Sequence, residues 1–379
     1  MSRETIFTNA QLVLEDEVVH GSIVVRDGKI ADISASNSAH GEDVNGDTII
    51  PGLVELHTDH LVSHFLPRPK VKWNPKAAVL AHDAQIAASG ITTVLDALRI
   101  GADENADLGI SEMGVLADAI ATSRNNKKLR ADHLLHLRCE VSAGDCLDGF
   151  AKFENNNLVK LVSLMDHAPG QRQFVSLEAY KIYYMGKKKM TVDEFKNFAS
   201  KRIEDSKKHS ASNREALVQL CDERQIMLAS HDDATVDHVT EALDQGISVA
   251  EFPTTIEAAK ASHEGGLSVL MGAPNLIRGG SHSGNVAAQT LAENGHLDIL
   301  SSDYIPYSLV AAAFKLPELV DSITLPDAVK TVTSNPARSI GLHDRGVLDV
   351  GKRADFVRVD HQEETPIVRS VWREGMRVS

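Results

Sequence analysis

The sequence predicts a (β/α)8 TIM-like barrel carrying a small β-sandwich module built from both chain ends. Eight short apolar runs recur across residues 51–339, separated by intervals long enough for helices. Each run is followed by polar residues, as at the C-terminal mouth of such a barrel, where its chemistry sits. The two ends read as short strands, and neither is large enough to bury a core alone. The expected division is therefore 1–50 with 340–379 as the composite β domain and 51–339 as the barrel.

Taken in order, Ser22–Arg26 and Lys29–Ile33 flank Asp27-Gly28, a turn dipeptide that favours positive φ and marks a hairpin. The C-terminal segments Gly346–Leu348, Gly351–Val359 and Val371–Gly375 have the same texture. Between them the runs are Leu53–Leu56, Ile91–Leu95, Leu134–Leu137, Leu158–Met165, Ile226–Ala229, Ile247–Phe252, Leu267–Met271 and Leu297–Leu300. Residues 176–215 read as an insertion. In it Thr191-Val192-Asp193-Glu194 is a capping box, and Phe195, Phe198 and Ile203 form an imperfect apolar stripe. Lys187-Lys188-Lys189 before it is a solvated loop.

Composition narrows the function classes. With 379 residues, a formal charge of −14 and 42% hydrophobic residues, the chain suits an acidic globular enzyme rather than a general nucleic-acid binder. Three Cys with no CxxC point to a reducing cytoplasm. No apolar run is long enough to cross a bilayer, and the opening Met-Ser-Arg-Glu-Thr lacks signal-peptide character.

The first run ends in His57-x-Asp59. Strand alternation puts both side chains on one face, and imidazole with carboxylate suits a divalent ion such as Zn²⁺ or Mn²⁺. Four more candidate ligands close later runs: Glu140, His167, His231 and Asp303. Asp232 and Asp233 follow His231 directly, where one could hold its tautomer. His60, His64, His82 and His136 read as mostly structural.

Pro51-Gly-Leu-Val-Glu-Leu-His-Thr-Asp59, the split β module and the late Ser301-Ser302-Asp303 resemble the amidohydrolase superfamily. Longer stretches narrow the resemblance. Phe65–Trp73, Ala88–Asp96, His136–Glu140, Ser163–Phe174, Ala229–Thr235, Ala250–Thr255, Met271–Asn275 and Arg278–Asn285 are similar to the ribosyl triphosphate diphosphatases of the carbon–phosphorus lyase pathway. The resemblance implies hydrolysis of a small ribosyl triphosphate to the 5-phosphate and pyrophosphate, beside other enzymes of that pathway. It implies two divalent ions, Zn²⁺ or Mn²⁺ ahead of Mg²⁺. His57 and Asp59 would hold one and His167 and His231 the other, with Glu140 bridging and Asp303 touching a metal and taking a proton. Counting runs places His167 on the fourth strand and His231 on the fifth, one earlier than the superfamily usually has them.

Phosphoryl transfer needs cations around the oxygens. Arg68, Lys70 and Lys72 form one cluster, and Arg138, Arg172 and Arg278 lie beside the strand-end motifs. Arg278-Gly-Gly-Ser-His282-Ser-Gly can bring backbone N–H groups to an anion, with His282 as a donor to phosphate or leaving group. Two rival readings share these residues: an amidohydrolase acting on a cyclic amide or N-acyl substrate, and a non-catalytic scaffold barrel. A homodimer is expected by analogy with related barrels.

Overall fold

The computed structural model describes residues 4–101, 108–172, 180–181, 190–281 and 284–379. By internal contacts the chain divides into two units. One comprises Met1–Asp96, Ala119–Leu134 and Met271–Ser379; the other comprises Ala97–Asp118 and Leu135–Leu270.

In the first unit the chain ends build one sheet. Its strands are β1 (Glu4–Val13), β2 (Val18–Arg26), β3 (Lys29–Ser34), β4 (Glu42–Asp43) and β5 (Thr48–Pro51) from the N-terminal side. The barrel strands, β6 to β13, intervene in sequence, and β14 (Phe356–Asp360), β15 (Ile367–Arg373) and β16 (Met376–Arg377) complete the sheet. The order is β16-β15-β14-β5-β1-β2-β3, with β4 beside β1. Antiparallel pairing of β14 with β5, from Phe356 opposite Pro51 to Val359 opposite Thr48, is what joins the two termini. The β2–β3 turn is formed by Asp27 and Gly28, both at positive φ (52° and 80°), as the dipeptide predicts. Phe356 stacks on Trp372 at 4.8 Å while Phe7 meets both edge-on, so one aromatic knot made from both ends closes this core.

All eight predicted runs are strands: β6 (Leu53–Thr58), β7 (Ile91–Ile100), β8 (Asp132–Glu140), β9 (Val159–Met165), β10 (Met227–His231), β11 (Val249–Glu251), β12 (Ser268–Gly272) and β13 (Ile299–Ser301). They form one sheet in sequence order, and a bridge between Thr58 and Asp303 links its first and last members. Every residue of β6 is buried, as expected where helices cover a parallel sheet. The fold is the predicted barrel with its terminal β module. No helix among the described residues is long and apolar enough to cross a membrane. The capping box is also present: Glu194 N–H donates to Thr191 Oγ1 (3.3 Å), and Thr191 N–H to Glu194 Oε2 (2.8 Å), opening the helix Val192–Glu223.

Within the first unit lies a fully buried polar chain. His82 Nε2 meets Asp96 Oδ1 at 2.8 Å, His133 Nδ1 meets Asp96 Oδ2 at 2.7 Å, and His133 Nε2 faces Asp83 Oδ1 at 3.3 Å. Burial opposes charge on His133, but Asp96 and Asp83 overcome it and raise the imidazole to about 9. Burial likewise opposes the Asp96 carboxylate, and the two His hold it far below its ordinary value. The His133 contribution to stability is complete below its unfolded value of 6.5 and is lost as pH rises through about 9. The Asp96 contribution is present above 3.8 and lost on acidification. Urea midpoints of the wild type should therefore fall between pH 6.5 and 9, and those of His133→Gln should fall less steeply there. Parallel curves would show that His133 stays neutral.

Candidate metal centre

In the second unit, three strand ends present the key side chains. His231 closes β10, Glu251 closes β11, and His167 follows β9 by two residues. Each imidazole has its Nδ1 against a buried carboxylate: His167 on Glu140 Oε2 at 2.7 Å, His231 on Glu251 Oε2 at 3.1 Å. Their Nε2 atoms turn to one oxygen, Asp232 Oδ2, at 3.6 and 3.4 Å. That oxygen is buried and has no hydrogen-bond partner among the described residues. Asp232 sits at φ +59°, so a left-handed turn directly after the strand swings its carboxylate across the two rings.

The three donors lie within 4.8 Å of one another. Ligands about 2.0–2.1 Å from a shared tetrahedral ion sit about 3.3 Å apart, close to the spacing seen here. Carboxylates behind both imidazoles fix the ring orientation, as metal-bound His requires. The donor set therefore fits a divalent ion. Burial would lower the proton affinity of His167, but Glu140 and Asp232 raise it above the ordinary value; the same field favours a cation in place of the proton. His231 is held neutral chiefly by burial. By contrast, the His82–Asp96–His133 contacts of 2.7–2.8 Å are ordinary hydrogen bonds, and they occupy both oxygens of Asp96.

Glu140 has both oxygens occupied. Oε1 accepts from Ser142 Oγ (2.7 Å), the His167 N–H (3.0 Å) and Arg202 Nη2 (3.1 Å), and Oε2 faces His167 Nδ1 and, at 3.5 Å, Arg99 Nη2. Burial opposes its ionisation, yet His167, Arg202 and Arg99 hold it well below the usual carboxylate range. The geometry places it behind His167. On the other side, Ser163 Oγ donates to Glu251 Oε2 at 2.5 Å and is itself paired with His136 Nε2, so Glu251 is oriented in turn. Arg138, half-buried on β8, lies close enough to Asp232 to lower its proton affinity, a smaller effect than those of His231 and His167.

Arg172 is placed differently from the expectation of a phosphate ligand. It is 4% exposed, its guanidinium held by Asp233 and, at 2.5 Å, by Glu241, and burial pushes it down to about 10. Asp233 is thereby tied to Arg172, and the carboxylate that meets His231 Nδ1 is Glu251.

In the first unit, β6 brings His57 and Asp59 and β13 leads to Asp303. Glu55 clasps the two strand ends. It is fully buried and accepts from His57 N–H (2.6 Å), Ser301 Oγ (2.7 Å) and Ser302 N–H (2.5 Å). Thr58 Oγ1 donates to the Asp303 carbonyl at 2.6 Å, and the Asp303 N–H to Ser301 Oγ at 3.3 Å, with Asp303 at φ +53°. His57 and Asp303 are thus fixed by one network. Burial raises the Glu55 carboxyl against these donors. Removing its carboxylate (Glu55→Ala) strands buried N–H groups of both strands and should cost about 3–5 kcal/mol, read as a urea midpoint shift.

Arg68, Lys70 and Lys72 are exposed on the loop beyond the helix α1 (His60–Phe65). Arg278 is exposed at the end of the helix Ala273–Arg278, and Gly279 and Gly280 follow at φ +75° and +153°. These backbone angles favour glycine over residues with a side chain. His282 lies outside the described residues.

Residues 83–378 match the model of the amidohydrolase family, and the chain belongs to that family. It is 48% identical to the alpha-D-ribose 1-methylphosphonate 5-triphosphate diphosphatase of Escherichia coli strain K12, over 98% of this chain and 100% of that one. It is 26% identical to an imidazolonepropionase of Thermoplasma volcanium, over 93% and 87% of the two chains. Among solved structures, 5-methylcytosine deaminase from Klebsiella pneumoniae aligns with a TM-score of 0.64 at 15% identity, covering 99% of this chain and 97% of that one. N-acetylglucosamine-6-phosphate deacetylase from Thermotoga maritima aligns with a TM-score of 0.60 at 14% identity, covering 99% of each. These structural likenesses concern the fold.

Proposed function

We propose that this chain is a metal-dependent diphosphatase that hydrolyses α-D-ribose 1-methylphosphonate 5-triphosphate to the 5-phosphate and pyrophosphate in phosphonate catabolism. The observation carrying this reading is the convergence of His167, His231 and Asp232, each imidazole backed by a carboxylate, in a chain so similar along its length to the E. coli enzyme. His167, His231 and Asp232 would hold one divalent ion, and His57 and Asp59 a second, with Zn²⁺ or Mn²⁺ suiting the mixed donors better than Mg²⁺. Such ions acidify water toward a pKa of about 7 and neutralise phosphate oxygens.

The protein's own residues do the rest. Asp303, its backbone locked by Thr58 and Ser301, takes the proton from the attacking water. Arg138 and Arg278, with Arg68, Lys70 and Lys72, receive the triphosphate oxygens. Glu140 serves His167 rather than bridging ions, and Arg172 braces the loop that carries Asp232 and Asp233. Arg278→Ala should raise KM for the triphosphate about tenfold or more with kcat little changed, since it removes one charge-assisted contact. Arg172→Ala should instead lower the thermal midpoint.

The test is a direct comparison of substrates with the metal-loaded enzyme. Pyrophosphate release from the ribosyl triphosphate should exceed turnover of cyclic amides, including imidazolone propionate, by orders of magnitude. Hydrolysis of the amides alone would overturn the proposal.

A further inference from the structure

Three imidazoles meet in the first unit, apart from the strand-end donors. His60 and His64 lie four residues apart on α1, and His82 lies on the helix α2 (Pro75–Ala88). Ring centres are 5.0 Å apart for His60 and His64, and 5.8 Å for each of them to His82. In each ring a buried nitrogen has no hydrogen-bond partner among the described residues: His60 Nε2, His64 Nε2 and His82 Nδ1. An orphaned buried polar atom costs about 1–3 kcal/mol, and three in one cluster need a common explanation.

We propose that His60, His64 and His82 form an additional site for an imidazole-preferring transition-metal ion, Zn²⁺ being the first candidate. Rings bound to one tetrahedral ion through bonds of about 2.0–2.1 Å have centres about 5 Å apart, near the separations here. The His-x3-His spacing on α1 is one that zinc sites use. His82 is held as a ligand would be: its Nε2 meets Asp96 at 2.8 Å, and its Nδ1 is left buried with no hydrogen-bond partner among the described residues. Burial, with His82 and His60 alongside, lowers the proton affinity of His64, which favours the neutral, ligating form. The donor nitrogens do not all fall within 4.8 Å as the rings stand, so binding asks for rotation about the Cβ–Cγ bonds of His60 and His64. That torsion is soft in His. The ion would fasten α1 to α2. The fourth ligand position would be open to solvent beside the half-buried His60 and His64.

The experiment counts Zn²⁺ bound per chain, and its affinity, in full-length wild type and His64→Gln, each also in an Asp232→Ala background. The wild type should bind one equivalent more than His64→Gln, in both backgrounds. His64→Cys should restore it, and Co²⁺ substitution should give a tetrahedral absorption band that His64→Gln lacks. Turnover of the ribosyl triphosphate by His64→Gln should stay within about twofold of wild type, because the site lies outside the proposed chemistry. Equal stoichiometry and affinity in wild type and His64→Gln, with both folded by circular dichroism, would overturn the proposal.

Discussion

Asp303→Asn is expected to keep its metal and lose about 10²–10⁴ in kcat, the range that one positioned proton acceptor supplies. The amide is nearly the same size and preserves the backbone contacts to Thr58 and Ser301, so the clasp by Glu55 should survive. What disappears is a carboxylate able to take a proton. Metal analysis beside steady-state kinetics separates the two effects. A variant with full turnover would remove Asp303 from the chemistry, and one that lost metal in proportion to activity would make it a ligand first.

Asp232→Ala is expected to do the opposite. It deletes the oxygen facing both imidazoles at 3.4 and 3.6 Å, so affinity for the ion at His167 and His231 should fall by about 100-fold or more. Activity should fall with it and recover in part at high metal concentration. Asp232 Oδ2 accepts no hydrogen bond among the described residues, but His231, His167 and Arg138 favour the ionised carboxylate, so stability without metal should fall modestly at neutral pH. Unchanged metal affinity in this variant would show that the two imidazoles bind without it.

The fold was legible because period and punctuation agree: every apolar run became a strand, and Asp27-Gly28 became the predicted turn. The strand count was legible too, with His167 after the fourth barrel strand and His231 on the fifth. What escaped was partnership across long sequence distances. The bridging role expected of Glu140 came from the family resemblance, and its neighbours Arg202 and Arg99 are 62 and 41 residues away. Arg202 comes from the inserted helix, where nothing local marks it. Glu251 reads as one polar residue after a short run, and only the parallel pairing of β10 with β11, His231 opposite Glu251, reveals its target. Asp232 and Asp233 both read as candidates to hold the His231 tautomer because they adjoin it; the left-handed backbone that turns Asp232 toward both imidazoles is not encoded in sequence pattern. Arg172 shows the reverse error, a cation in a promising motif that folding buries against Asp233 and Glu241.

The most direct test is anomalous diffraction at the zinc edge from crystals grown with Zn²⁺. The account predicts a peak about 2.0–2.2 Å from His167 Nε2, His231 Nε2 and Asp232 Oδ2 together. Well-ordered crystals with zinc bound only elsewhere, and these three side chains hydrogen-bonded among themselves, would contradict it.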